Sequence, residues 1–200
     1  MQVSVRRLFE ILIIVHFAQH MLKITLISLA VLVVIFLIVV AMQPTDFRIT
    51  RSASFAAPAP VVFEQFNDFH KWNAWSPWAK MDPDAKNTFE GPAAGIGSGF
   101  KWAGNSKVGE GHMTITDSTP DSRIVIRLEF IKPFAAVNTT EFTFKPKGNQ
   151  TAVTWTMSGK NSFMGKAVVL VMNCDKMVGG QFEDGLANLK AIVETPATKL

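Results

Sequence analysis

Two hundred residues, 48% hydrophobic and only 18% charged, suffice for one membrane anchor and one globular domain of about 150 residues, and leave no room for a second full domain. The formal charge of +4 arises partly at the amino-terminal end, where Arg6, Arg7 and Lys23 face only Glu10, and the surplus of two that remains from position 44 onward is too balanced for a nucleic-acid surface. A single cysteine, Cys174, excludes an intramolecular disulfide, while sixteen Phe and five Trp without any Tyr supply aromatic bulk lacking phenolic hydroxyls.

Residues 24–42 carry neither charge nor proline and are mostly Val, Ile and Leu. That length matches a transmembrane helix. A cleaved signal peptide is the main rival, but its apolar region is typically shorter, and Ala41-Met42-Gln43 is a poor small-residue cleavage site. Arg6, Arg7 and Lys23 before the span, against Arg48 and Arg51 after it, lean toward a cytoplasmic amino terminus. The expected setting is therefore a single-pass membrane protein with its domain outside the cytoplasm. Residues 1–23 form an extension in which Leu8, Ile11, Leu12 and Val15 follow helical spacing. Met21-Leu22-Lys23 would also make a conventional start, so this extension reads either as preceding the native start or as an interfacial helix. Residues 43–46 are a linker reaching at most roughly 13 Å, which holds the domain against the bilayer.

The domain, residues 47–195, begins with an alternating strand, Phe47 to Phe55, stopped by Ala57-Pro58-Ala59-Pro60. Val61, Val62, Phe63, Phe66 and Phe69 then mark a short amphipathic helix. Trp72, Trp75 and Trp78, broken by Pro77, suit an irregular segment or short second helix packed as a lid. From Asn87 the period changes to two. Thr88 to Glu90 is a strand candidate, and Gly95, Gly97 and Gly99 are read as hairpin and bulge glycines, since a strand rather than a phosphate-capping helix follows them. Further strands are expected at Phe100 to Trp102, Val108 to Asp117, Arg123 to Ile131, Thr139 to Lys145 and Thr151 to Ser158. Ser162 to Glu194 then reads as one helix with an apolar stripe through Phe163, Leu170, Cys174, Met177, Phe182, Leu186 and Leu189. Within it, Gly165 to Met172 is apolar nearly all round, and Gly179-Gly180 is the expected weak point. The first part should form a movable wall or face the bilayer. Residues 196–200 are a tail.

The fold class is thus α+β: a curved antiparallel sheet of six to seven strands wrapped on a long carboxy-terminal helix, plus the amino-terminal transmembrane helix. Residues 47–193 resemble the START and Bet v 1-like superfamily, and in particular the bacterial polyketide cyclase/dehydrase-type group called SRPBCC proteins. The resemblance rests on element order and on Ala57-Pro-Ala-Pro-Val-Val-Phe63, Trp72-Asn-Ala-Trp-Ser-Pro-Trp78, Gly109-Glu-Gly-His-Met-Thr-Ile115 and Phe182-Glu-Asp-Gly-Leu-Ala-Asn-Leu189. It implies a helix-grip fold enclosing an apolar cavity for sterols, lipids, polyketides or similar molecules. The candidate cavity residues are Trp75 and Trp78 from the aromatic segment and Phe100, Trp102, Met113, Ile126, Leu128, Phe130, Phe142, Phe144, Trp155 and Met157 from the strands. Leu170, Cys174 and Met177 complete the set from the helix.

These inward positions include no acid or base, whereas enzymic relatives place polar groups in the cavity, so no catalytic constellation is readable. His70 and His112 lack partners at metal-ligand spacing, no metal or other cofactor is expected, and Asn138-Thr-Thr140 matches a glycosylation sequon of little consequence in a bacterium. The favoured expectation is a membrane-anchored binding or carrier domain for a hydrophobic small molecule or lipid. The alternatives are a polyketide cyclase or hydratase-like enzyme, with His70, Asn73, Asn105 or Asn173 converging at the cavity mouth, and an interaction protein with a filled core.

Overall fold

The computed structural model describes residues 2–195, which fall into two units divided after Gln43. The first is one uninterrupted helix, α1 (Gln2–Met42), whose apolar stretch runs Phe9–Met42. At 1.5 Å per residue that stretch is about 50 Å long, well beyond a hydrocarbon core of about 30 Å. No break separates the expected extension from the expected span: the helix passes through Met21 without interruption.

The second unit is built on a seven-stranded antiparallel sheet in the order β1-β7-β6-β5-β4-β3-β2. Its strands are β1 (Asp46–Phe55), β2 (Lys86–Glu90), β3 (Gly99–Ala103), β4 (Glu110–Thr119), β5 (Arg123–Lys132), β6 (Ala136–Lys147) and β7 (Gln150–Lys160). Strands β2 to β7 follow one another as a meander, and the first strand closes the row beside the last. Alternation fixes the register. Ile124, Ile126 and Leu128 of β5 are buried between more exposed neighbours, as are Phe142 and Phe144 of β6. A register shift between Ile115 and Asp117 marks an irregularity in β4 of the kind that bends a strand.

Between β1 and β2 the chain makes α2 (Ala59–Asn67), a 3-10 turn (Phe69–Ala74) and α3 (Pro77–Met81). Pro60 and Pro77 stand in the opening turns of α2 and α3, where a missing N–H costs nothing. The Asp68 side chain accepts from the His70 backbone N–H and so caps the 3-10 turn.

The carboxy-terminal region differs from the single helix expected from Ser162 to Glu194. It is two helices, α4 (Phe163–Val171) and α5 (Cys174–Val193). The break lies at Met172-Asn173, and α5 runs unbroken through Gly179-Gly180, so the expected weak point is not where the chain bends. Two side-chain caps explain the division: Ser162 accepts from Gly165 N–H at 3.1 Å, and Asn173 accepts from Lys176 N–H at 2.9 Å. With Asp175 in its first turn and Lys190 in its last, α5 also complements its own dipole.

α5 lies along β1 and buries Phe182, Leu186 and Leu189. Its glycines serve close approach. A Cβ at Gly179 would overlap the Arg51 guanidinium, and one at Gly185 would stand 3.2 Å from the Trp155 ring. Arg51, on the same face of β1, donates from Nε to Glu183 at 2.5 Å and from Nη2 to Asp175 at 3.0 Å. Asp175 and Glu183 are exposed, yet together they clamp this arginine.

Candidate ligand-binding face

The inner face of the sheet changes character along its length. Toward α2, α3 and α5 it is filled by aromatic rings. Trp155 stacks on Phe182 with centroids 4.0 Å apart, Phe142 lies 5.0 Å from Trp155, and Phe66 lies 4.6 Å from Phe142. Trp75 is fully buried and donates from Nε1 to the Gln65 carbonyl at 3.3 Å, while Asn188 Nδ2 donates to the Trp75 carbonyl at 3.1 Å. Phe144 and Ile126 are buried in the same region, and Trp78 packs partly buried against Trp155 and Phe182. The Trp72 to Trp78 segment therefore closes this end, as its composition suggested.

At the opposite end, where β1 begins and β7 finishes, cover thins. Met113, Leu128 and Met157 are buried, but Phe100, Trp102 and Phe130 remain half-buried. Trp102 crosses Gly111, where any Cβ would meet its ring, and packs edge-on to Phe130 at 6.0 Å while its Nε1 donates to the Val108 carbonyl. The helical candidates do not wall this region tightly: Cys174 is half-buried, Leu170 is 38% exposed and Met177 50% exposed. α4 buries no residue and has no extensive contact with any strand or helix. A shallow, open concavity of about 430 Å³ lies at the ends of β1, β6 and β7 among Phe47, Thr139 and Gly159.

Two inner-face residues escaped the sequence reading. Asn138 and Thr140 of β6 continue the alternation of Phe142 and Phe144 back toward the thinly covered end, and both are buried. The sequon drew attention to Asn138 for another reason, whereas two further steps of period two would have placed it inward. Its Oδ1 lies over Gly159, where there is no side chain to displace it, and has no hydrogen-bond partner. Trp155 Nε1 and Gln181 Oε1 are likewise buried and unpaired. Unpaired buried polar atoms cost about 1–3 kcal/mol each, so these three are natural points for a ligand or water to satisfy.

Three of the polar loop groups considered for catalysis are locally engaged, and the fourth, Asn73, is exposed. His70 Nδ1 bonds Asp68 at 2.8 Å and its ring stacks on Phe89; Asn105 Oδ1 accepts from Lys107 N–H; Asn173 caps α5. His112 sits on the outer face, bonded to Glu129 at 3.2 Å. That bond, and then Arg127, hold the Glu129 carboxyl below its ordinary value. Hydrogen bonding to Arg51 likewise lowers Asp175, and bonds to Asp175 and Glu183 raise Arg51. Among the described residues no group of three or more His, Cys, Asp or Glu is placed to hold a metal ion.

Residues 46–194 match the family described as polyketide cyclase / dehydrase and lipid transport. The chain belongs to that family. Solved structures agree on the fold. Protein MLL2253 from Mesorhizobium loti superposes with a TM-score of 0.57 at 13% identity, covering 77% of this chain and 100% of that one. Protein CV1439 from Chromobacterium violaceum gives 0.55 at 16% identity over 76% and 99%. Major latex-like protein 151 from Panax ginseng gives 0.55 at 11% identity over 76% and 100%. No curated protein matches significantly. Membership in this family and the seven-stranded sheet bear out the SRPBCC, Bet v 1-like resemblance. The domain is thus a member of the polyketide cyclase / dehydrase and lipid transport family carried behind an apolar helix.

Proposed function

We propose that this protein is a membrane-anchored binding or carrier domain for a hydrophobic small molecule or lipid, with α1 as the anchor. One observation carries the reading: the thinly covered end of the inner face is apolar through Trp102, Leu128, Phe130 and Met157, yet retains an unpaired acceptor, Asn138 Oδ1. An apolar wall with one convergent polar atom suits an amphiphile held by its body and oriented by one donor group. The family's association with lipid transport supports the same reading. With the interior closed around aromatic rings, the ligand enters where α4 stands away from the sheet. Cyclase or hydratase chemistry would need an acid or base at the ligand, but β3, β5, β6 and β7 turn no ionisable side chain to this face.

The test is native mass spectrometry on residues 44–200, a compact unit with its own core, purified from a lipid-rich host. Bound lipophilic molecules are expected. A clean apo protein that also fails to bind hydrophobic fluorescent probes would overturn the proposal. Asn138→Leu should keep the fold and weaken retention of a ligand with a hydrogen-bonding head by up to about tenfold, the value of one hydrogen bond.

A further inference from the structure

We propose that α4 and the β5–β6 tip form a second membrane contact, lying in the interfacial layer of the bilayer that α1 crosses. The inference rests on the anchoring proposed above. α4 is apolar apart from Lys166 and turns several of its apolar side chains outward: Phe163 is 51%, Met164 57% and Val171 77% exposed. A nine-residue helix is about 13 Å long, too short to span a bilayer and long enough to lie in its surface.

Connectivity says what covers it. Asn161, two residues before α4, donates its N–H to the Thr45 carbonyl at 2.7 Å, and Thr45 is the third residue after the end of α1 at Met42. Three linking residues reach roughly 10 Å, and the step across to Asn161 and on to Phe163 adds about as much again, so the start of α4 stays within about 20 Å of the place where α1 ends. The β5–β6 tip comes to the same end of the sheet through the register Phe130↔Ala136, Asn138↔Gly159 and Phe47↔Gly159. It presents Ile131 at 57% and Phe134 at 62% exposure. Two apolar projections thus share the end of the domain that carries the anchor, with Lys160 beside them to meet anionic headgroups, while Lys132 is paired with Glu110 at 2.7 Å. A chance pair of exposed residues would not be expected to share one end, whereas an embedded surface must.

The test uses the full-length chain with Cys174→Ala, which removes the sole cysteine, and an environment-sensitive fluorophore on one introduced cysteine at a time. Leu170→Cys reports α4, Phe134→Cys the tip, Leu32→Cys the anchor, and Gln150→Cys the hairpin at the far end of the sheet. Each is placed in nanodiscs of phosphatidylcholine and phosphatidylglycerol with or without lipid spin-labelled near the headgroup, which reads Leu170 and Phe134, or deep in the acyl chain, which reads Leu32. The expected result is blue-shifted emission and about twofold or greater lipid quenching at Leu170 and Phe134, with Gln150 quenched only by aqueous iodide. Iodide quenching without lipid quenching at Leu170 and Phe134, while Leu32 remains lipid-quenched, would overturn the second contact and leave the anchor standing. Shielding from both quenchers would also overturn it, by assigning the surface to a second copy. Loss of lipid quenching at Leu32 would sink the anchor and this inference together.

Discussion

α4 and α5 are neighbours in sequence, separated only by Met172 and Asn173, and they behave oppositely. α4 is the more apolar and buries nothing; α5 carries Asp175, Lys176, Glu183, Asp184 and Lys190 and buries Phe182, Leu186 and Leu189. The difference shows that apolar content does not decide burial. A helix docks when its stripe meets a surface shaped for it, and α5 meets one because Gly179 and Gly185 admit Arg51 and Trp155. α4 has no such partner among the described strands, and much of its apolar surface stays exposed.

The sharpest way to break this comparison is truncation. Phe182→Ala removes a ring stacked on Trp155 in a filled region and should cost about 3–5 kcal/mol in denaturant unfolding of the domain. Leu170→Ala on exposed α4 should stay within about 0.5 kcal/mol. Equal costs would mean that α4 is packed after all. A subtler pair separates the two glycines. Gly179→Ala drives a methyl group into Arg51 and should destabilise by about 1–3 kcal/mol. Gly180→Ala meets nothing within 4 Å and should stabilise by up to about 1 kcal/mol through helix propensity. A hinge at these residues would predict a loss of function from both. Hydrogen exchange refines the boundary: amides of α5 beyond its first turn should be protected, those of α4 should exchange fast, and the step should fall at Met172-Asn173 rather than at Gly179-Gly180.

The smallest expected effect is on pH. Asp175 is held below its ordinary value chiefly by its hydrogen bond to Arg51. A carboxyl with a depressed folded-state pKa contributes stability that is present above the ordinary carboxylate value, about 3.9, and is lost as pH falls through the lowered one. Stability should therefore decline in that acid range, and Asp175→Asn should remove part of the decline. Because both carboxylates are exposed, the contribution is small.

Much of the fold was legible because β5 and β6 alternate cleanly and each strand is set off by Gly, Pro or Asn. The division of the last helix was not, since apolar periodicity runs straight across Asn173. The signal that could have shown it is a cap: an asparagine followed two residues later by an acid in the first turn. The candidate site was legible only in part. The strand residues from Met113 to Met157 were placed inward by their period, as found, while Leu170 and Met177 followed from assuming one continuous helix and emerge exposed. Asn138 was missed because a polar residue does not announce an inward position, and only the register with Gly159 makes room for it.

The pairing of β1 has a mechanical meaning. β1 starts at Asp46, shortly after α1 ends, and at its other end Ala56 N–H donates to Glu194 Oε1 at 2.6 Å, just past the last turn of α5. Tension applied between α1 and the carboxy-terminal end therefore runs lengthwise along β1. The β1–β7 ladder, in unbroken register from Asp46↔Lys160 to Phe55↔Thr151, is loaded in shear, so its hydrogen bonds resist together instead of unzipping one at a time. A domain built this way holds its shape when it is pulled between its two ends.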